Sequence, residues 1–167
     1  MILNILKAAN IEEGKILKTP SVEVVDFTQE IHDLAMNMIE TMYAANGAGL
    51  AAPQVGQNIN LFVMRTEHSL ETNKPEHIVV VNPYTVYEGG DPINDKEGCL
   101  SIPGIWGDVL RHKEVGTVYQ DTTGKRIPGH FTGFDARVYQ HEYDHLVGTL
   151  FVERATKFYR PRVATAK

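Results

Sequence analysis

The chain has a single cysteine, Cys99, among 167 residues. An internal disulfide is therefore excluded, and nothing in the sequence points to an oxidising compartment. Long apolar runs are also missing, so no segment reaches the length of a transmembrane helix. The opening Met-Ile-Leu-Asn-Ile-Leu-Lys run is too short for the core of a signal peptide and lacks its flanks. Excess positive charge is lacking as well. With 16 Lys and Arg against 21 Asp and Glu, the net charge is −5, so the chain as a whole is not built to coat DNA or an acidic membrane. Internal repeats, low-complexity tracts and interdomain linkers are absent. What remains is an ordinary globular composition, 43% apolar and 22% charged. The expectation is a cytoplasmic protein with one domain over 1–167 that is large enough for a real core.

Periodicity sketches the elements. Residues 1–25 read as extended or irregular, because Pro20 and the cluster Val22, Val24, Val25 suit an arm better than a helix. Asp26 resembles an N-cap with Gln29 as its capping-box partner. From Thr28 to Ala45 apolar residues fall at Ile31, Leu34, Ala35, Met38, Ile39, Met42 and Tyr43, which predicts a helix with one buried face. Asn46-Gly47 ends it. His32 and Glu40 lie off this stripe and read as solvated, whereas Met36, Met38 and Met42 read as core. Strands are expected over Leu61–Arg65, Ile78–Val81 and Tyr84–Tyr87, with a polar loop over Glu67–Glu76. Gly89–Lys96 reads as turn-rich. Gly116–Gln120 and Arg126–Phe131 form a hairpin around Asp121-Thr122-Thr123-Gly124. A second helix opens at Thr132 or Gly133 and ends near Gly148. The tail, 152–167, carries Arg154, Lys157, Arg160, Arg162 and Lys167 against Glu153 alone. It reads as a frayed basic terminus, or as an electrostatic foot for a polyanion.

The second helix holds Gln140-His141-Glu142-Tyr143-Asp144-His145-Leu146-Val147-Gly148. Imidazoles four residues apart share one helix face and can share a metal ion, and a glutamate beside the first can take a proton from a metal-bound water. Most catalytic sites need a third protein ligand. A metzincin-like protease would place a histidine where Phe151 stands. A thermolysin-like protease would use a glutamate well downstream, but Glu153 is the last acidic residue. Upstream stands Cys99. A lone cysteine is more often a small buried hydrophobe, but thiolate plus two imidazoles is a known catalytic set. Cys99 is therefore the candidate third ligand. A structural metal or a peptide-binding module is the competing possibility.

Three segments together resemble one family, the peptide deformylases. They are Gly47-Ala48-Gly49-Leu50-Ala51-Ala52-Pro53-Gln54, then Glu97-Gly98-Cys99-Leu100-Ser101, then Gln140 to Gly148. The resemblance runs from about the first helix through Phe151. It implies an α+β fold with antiparallel sheets wrapped around a central helix that carries the HExxH motif. It also implies removal of the N-formyl group from the first methionine of nascent polypeptides, with formate released. Cys99, His141 and His145 would hold one divalent metal, with iron(II) as native ion and nickel, cobalt or zinc as substitutes. Glu142 would be the general base, and the Gln54 side chain with the Leu100 backbone N–H would face the oxyanion. Gly47, Ala48 and Gly49 would run along the substrate backbone. Val138 and the His141 ring would wall the methionine pocket.

The pattern bends in places. Ala48 is smaller than the residue relatives place there, which predicts a wider pocket edge. Trp106 and Gly107 stand in the loop where bacterial relatives often carry an arginine. Asp135 sits in the first turn of the metal-motif helix, where an acid suits the dipole. Glu97 and Arg111 are a candidate pair supporting Cys99. Pro161 interrupts the tail, so the long ribosome-docking helix of many relatives is not expected, only a weak, salt-sensitive ribosome contact.

Overall fold

The computed structural model describes residues 1–72 and 76–160. Five antiparallel strands form the larger sheet: β1 (Gly49–Ala51), β2 (Leu61–Arg65), β3 (His77–Gly89), β6 (Glu114–Gln120) and β7 (Arg126–Thr132), in the order β1-β2-β3-β6-β7. Three more, β4 (Ile93–Cys99), β5 (Ile102–Arg111) and β8 (Lys157–Tyr159), form a second antiparallel sheet in the order β4-β5-β8. Helix α2 (Gln29–Ala44) covers one face of the larger sheet, and α4 (Gly133–Leu146) packs on the other, across β1, β2, β6 and β7. The antiparallel α+β expectation holds, and the motif helix packs on the larger sheet. Among the described residues no helix is long and apolar enough to cross a membrane.

Strand β2 shows how the layers form. Phe62 and Met64 join the cluster under α4, with Val80, Val115, Phe131 and Tyr139. Leu61 and Val63 point the other way, to Met38, Ile39 and Met42 of α2. Alternation along one strand therefore feeds two cores. Each large side chain so buried stabilises the fold by about 2 kcal/mol.

Several elements differ from the sequence expectation, each for a local reason. Helix α1 (Ile11–Leu17) stands inside the supposedly irregular 1–25. The Asn10 side chain accepts from Glu12 and Glu13 N–H at 3.0 and 3.3 Å, and two acids in the first turn complement the dipole. In α2 the N-cap position is Thr28, not Asp26. Met36 is 47% exposed and is not a core residue, because it falls off the stripe of Ala35, Met38, Ile39 and Met42. Helix α3 (Glu67–Thr72) replaces the expected loop. Its start is capped by Thr66 Oγ1, which accepts from Ser69 N–H, and by Asp135 Oδ1 from α4, which accepts from Glu67 N–H at 2.7 Å. The two strands expected over 78–87 are one. Pro83 cannot donate to the ladder, and the register slips between Val81 and Tyr84 as a bulge. There Asn82, at φ 48°, turns its amide onto both backbone groups of Val24. The turn-rich stretch before Cys99 is largely strand β4. As an edge strand it is largely polar and shows no apolar alternation.

Part of the tail, Lys157–Tyr159, is strand β8. β8 pairs Trp106 with Tyr159 and Asp108 with Lys157, so a frayed terminus is wrong for this part. Arg162, Lys167 and Pro161 lie outside the described residues. Helix α4 ends at Leu146 with Val147 as its C-cap, and the next residue, Gly148, has a φ of 73°. A Cβ at that position would lie 2.4 Å from the Lys18 carbonyl oxygen, so only glycine fits.

Candidate metal centre and its cavity

His141 and His145 project from one face of α4 with ring centroids 5.1 Å apart. Cys99 closes β4 immediately before the Leu100–Ser101 tip, and its Sγ lies 3.3 Å from His145 Nε2. One ligand atom from each of the three lies within 4.8 Å of the others, so the group could hold a metal ion. Burial alone would raise the Cys99 thiol. The His145 charge and the hydrogen bonds of both histidines overcome burial and hold it well below the ordinary thiol range. Burial likewise opposes charge on His141, and contacts with Cys99 and Glu97 carry it well above the usual imidazole value.

A cavity of about 590 Å³ opens beside this group. Gly47, Ala48, Gly49, Gln54, Cys99, Leu100, Val138, His141 and Glu142 all line it. His145 is the one predicted site residue outside the lining, being 1% exposed beneath it. Glu142 is buried, and burial pushes its carboxyl up to about 7 against the nearby imidazoles. Its Oε2 has no hydrogen-bond partner among the described residues. A Cβ on Gly49 would lie 2.3 Å from Glu142 Oε1. The glycine is what lets β1 pass so close to the carboxylate. Similarly, a Cβ on Gly47 would meet Leu100 Cδ1 at 2.8 Å.

Gln54 sits in a short 3-10 turn, Ala52–Val55, after β1. Its Oε1 accepts from Ala51 N–H at 2.8 Å. That bond fixes which end of the amide is which. Nε2 must face the cavity side, where it donates to Ser101 Oγ at 3.1 Å and approaches Cys99 Sγ at 3.4 Å.

Behind the histidines Glu97 pairs with Arg111, at 2.9 Å from Nε and 3.0 Å from Nη2. The pair anticipated from sequence is therefore present. Although burial would raise the Glu97 carboxyl, contacts with His141 and Arg111 lower it to about 2. Its Oε2 lies 2.9 Å from His141 Nδ1, so an ionised Glu97 makes that nitrogen the donor and turns Nε2 of a neutral ring toward the cavity side.

Two residues have no role in the sequence reading. Arg137 donates to Glu97 Oε1 at 2.8 Å and to the carbonyls of Val109 and Ile93, tying α4 to the second sheet. Asp144 joins Arg111 Nη1 at 2.6 Å to the Arg154 guanidinium at 2.6 and 2.7 Å. A signal existed for Arg137. It lies four residues before His141 and eight before His145, on the same helical face. Trp106 belongs to β5 rather than a loop, and its ring packs over Gly98 at the cavity wall. Phe151 is buried and stacks on the His141 ring with centroids 6.1 Å apart.

A family model described as polypeptide deformylase matches residues 2–160. The chain belongs to the polypeptide deformylase family. It is 40% identical to a peptide deformylase of Chlorobium limicola over 154 residues, 92% of this chain and 83% of that one. A peptide deformylase of Desulforudis audaxviator is 39% identical over 145 residues, 87% and 90% of the two chains. Among solved structures, the Thermotoga maritima peptide deformylase superposes with a TM-score of 0.84 at 33% identity, covering 93% of this chain and 99% of that one. The Synechococcus elongatus peptide deformylase in complex with actinonin gives 0.83 at 37% identity, over 93% and 79%. The deformylase family is metal-dependent, and in this member Cys99, His141 and His145 form a group that could hold an ion.

Proposed function

We propose that this chain is a metal-dependent deformylase acting in the cytoplasm, hydrolysing the N-formyl amide on the first methionine of nascent polypeptides and releasing formate. The observation that carries this reading is one cavity in which the Cys99–His141 edge of the donor group, the buried Glu142 carboxyl and the Gln54 amide converge. A thiolate with two imidazoles suits iron(II), nickel, cobalt or zinc, and we take iron(II) as the native ion. When bound by Cys99, His141 and His145, the ion supplies Lewis acidity and makes a water acidic near neutral pH.

The chain's own groups do the rest. Glu142, titrating near 7, accepts a proton from the attacking water and returns it to the amine nitrogen as the carbon–nitrogen bond breaks. Gln54 Nε2–H and the Leu100 N–H donate to the oxygen that gains charge at the formyl carbon. β1 is an edge strand; along Gly47–Gly49 the Gly47 N–H is taken by the Met42 carbonyl and the Ala48 carbonyl by the Arg65 N–H, and the backbone groups of Gly49 that face away from β2 would pair with the substrate as an added strand. Val138 and the His141 ring form the apolar wall for the methionine side chain, and the small Ala48 leaves its edge open. The protease reading has no support in the site. Phe151 stands where a third histidine would be needed, and its ring packs on His141 instead. A closed structural site would need a fourth ligand, and the donor group has three members among the described residues.

Anaerobically prepared protein should release formate from formyl-Met-Ala-Ser with no internal peptide cleavage. Metal analysis of the same sample identifies the ion. Cleavage without formate would sink the reading. The basic tail is proposed to add only a weak, salt-sensitive ribosome contact. In cosedimentation the full chain should bind slightly better than a chain ending at Arg160. Equal binding removes 161–167 from the account.

A further inference from the structure

Leu100 and Ser101 form the two-residue tip of the β4–β5 hairpin, closed by the Cys99–Ile102 pair. The favoured two-residue hairpin turns need a central residue at positive φ. Neither Leu100 nor Ser101 has one. The shape of this tip therefore depends on partners outside the hairpin.

The N-terminal arm supplies them. Lys7 Nζ donates to the Leu100 carbonyl at 2.8 Å. Ala8 N–H donates to the Ser101 carbonyl at 2.9 Å. On the other side of Lys7, Leu6 N–H donates to the Gln54 carbonyl at 2.8 Å. Three consecutive residues thus join the hairpin tip to the 3-10 turn, which also reaches the tip directly through Gln54 Nε2 donating to Ser101 Oγ at 3.1 Å. The arm is itself anchored, because Lys7 N–H donates to Glu13 Oε2 in the Asn10-capped first turn of α1. Of the three arm contacts, only that of Lys7 is charge-assisted and made by a side chain. Lys7 also lines the cavity.

We propose that Lys7 is a positioning residue, whose ammonium holds the Leu100–Ser101 tip so that the Leu100 N–H and the Gln54 amide face one point. This rests on the reading of those two groups as oxyanion donors. Their alignment matters most where charge develops, so the effect falls on turnover rather than on substrate binding. The backbone bonds of Leu6 and Ala8 persist when the lysine is changed, so the arm stays in place.

Lys7→Met keeps the apolar stem and removes the charge. On formyl-Met-Ala-Ser its kcat should fall about fivefold, the scale of one partly exposed charged hydrogen bond, with KM within about twofold. Metal content and melting midpoint should not change, and Lys7→Arg should recover most of the rate. Gln54→Ala alone should cost about 100-fold. In that background the Lys7→Met penalty should shrink to about twofold or less, because the pair to be aligned no longer exists. An unchanged kcat in Lys7→Met, beside a damaged Gln54→Ala, overturns the role of Lys7 and leaves the oxyanion reading standing. A full fivefold penalty in both backgrounds also overturns it. So does a loss of rate that tracks loss of metal or a lower melting midpoint, which would assign Lys7 to stability. A harmless Gln54→Ala overturns the oxyanion reading itself.

Discussion

Glu142→Ala should lower kcat on a formylated methionyl peptide by about 1,000-fold, within the range that a positioned acid–base group contributes. Bound metal should stay at the wild-type level, because the candidate ligands are Cys99, His141 and His145. Glu142 is 3% exposed, and its Oε2 has no hydrogen-bond partner among the described residues. A buried group in that state destabilises the fold unless something uses it. Alanine removes that liability, so the variant should melt no lower than the parent. Substantial retained turnover would remove Glu142 from the mechanism. Loss of metal together with rate would make it a structural support for the ligands.

Cys99→Ser should weaken metal affinity by more than about 100-fold, the upper end of what even a supporting residue of a metal site contributes. Serine keeps the size, but its hydroxyl does not ionise near neutral pH as this thiol does. The imidazoles of His145 and His141 already hold the thiol well below its usual range against burial. Turnover should fall in step with the ion at low metal concentration. Equilibrium dialysis with nickel or cobalt, followed by the formate assay on the same samples, measures both quantities. Unchanged affinity and rate would return Cys99 to the role of a small packed residue.

Long amphipathic elements were legible in the sequence. The stripe through Ala35, Met38 and Met42 gave α2, and the hairpin around Asp121–Gly124 gave β6 and β7. Short or polar elements were not. Helix α1 is only seven residues long and depends on the Asn10 cap, too little chain for periodicity to register. Part of the α3 cap comes from Asp135, 68 residues away, which no local window contains. In the cavity, the spacing of His141 and His145 was readable because one helix face carries both. Cys99 followed from the shortage of ligands. Gln54 and Leu100 came from the resemblance, since nothing in their own neighbourhood marks an oxyanion donor. Arg137 and Asp144 had no place in the reading, because their partners Glu97, Arg111 and Arg154 lie on other elements.

Glu97 has a consequence for the life of the protein around its ion. The carboxylate is gripped by Arg111 and Arg137 and orients His141, all through side-chain hydrogen bonds that no metal takes part in. Small metal-clipped domains collapse when stripped, because the ion is their folding energy. Here the socket is carved by a carboxylate–guanidinium lattice spanning α4 and the second sheet. Removal of the ion should therefore leave a folded chain able to take it up again, rather than a denatured one.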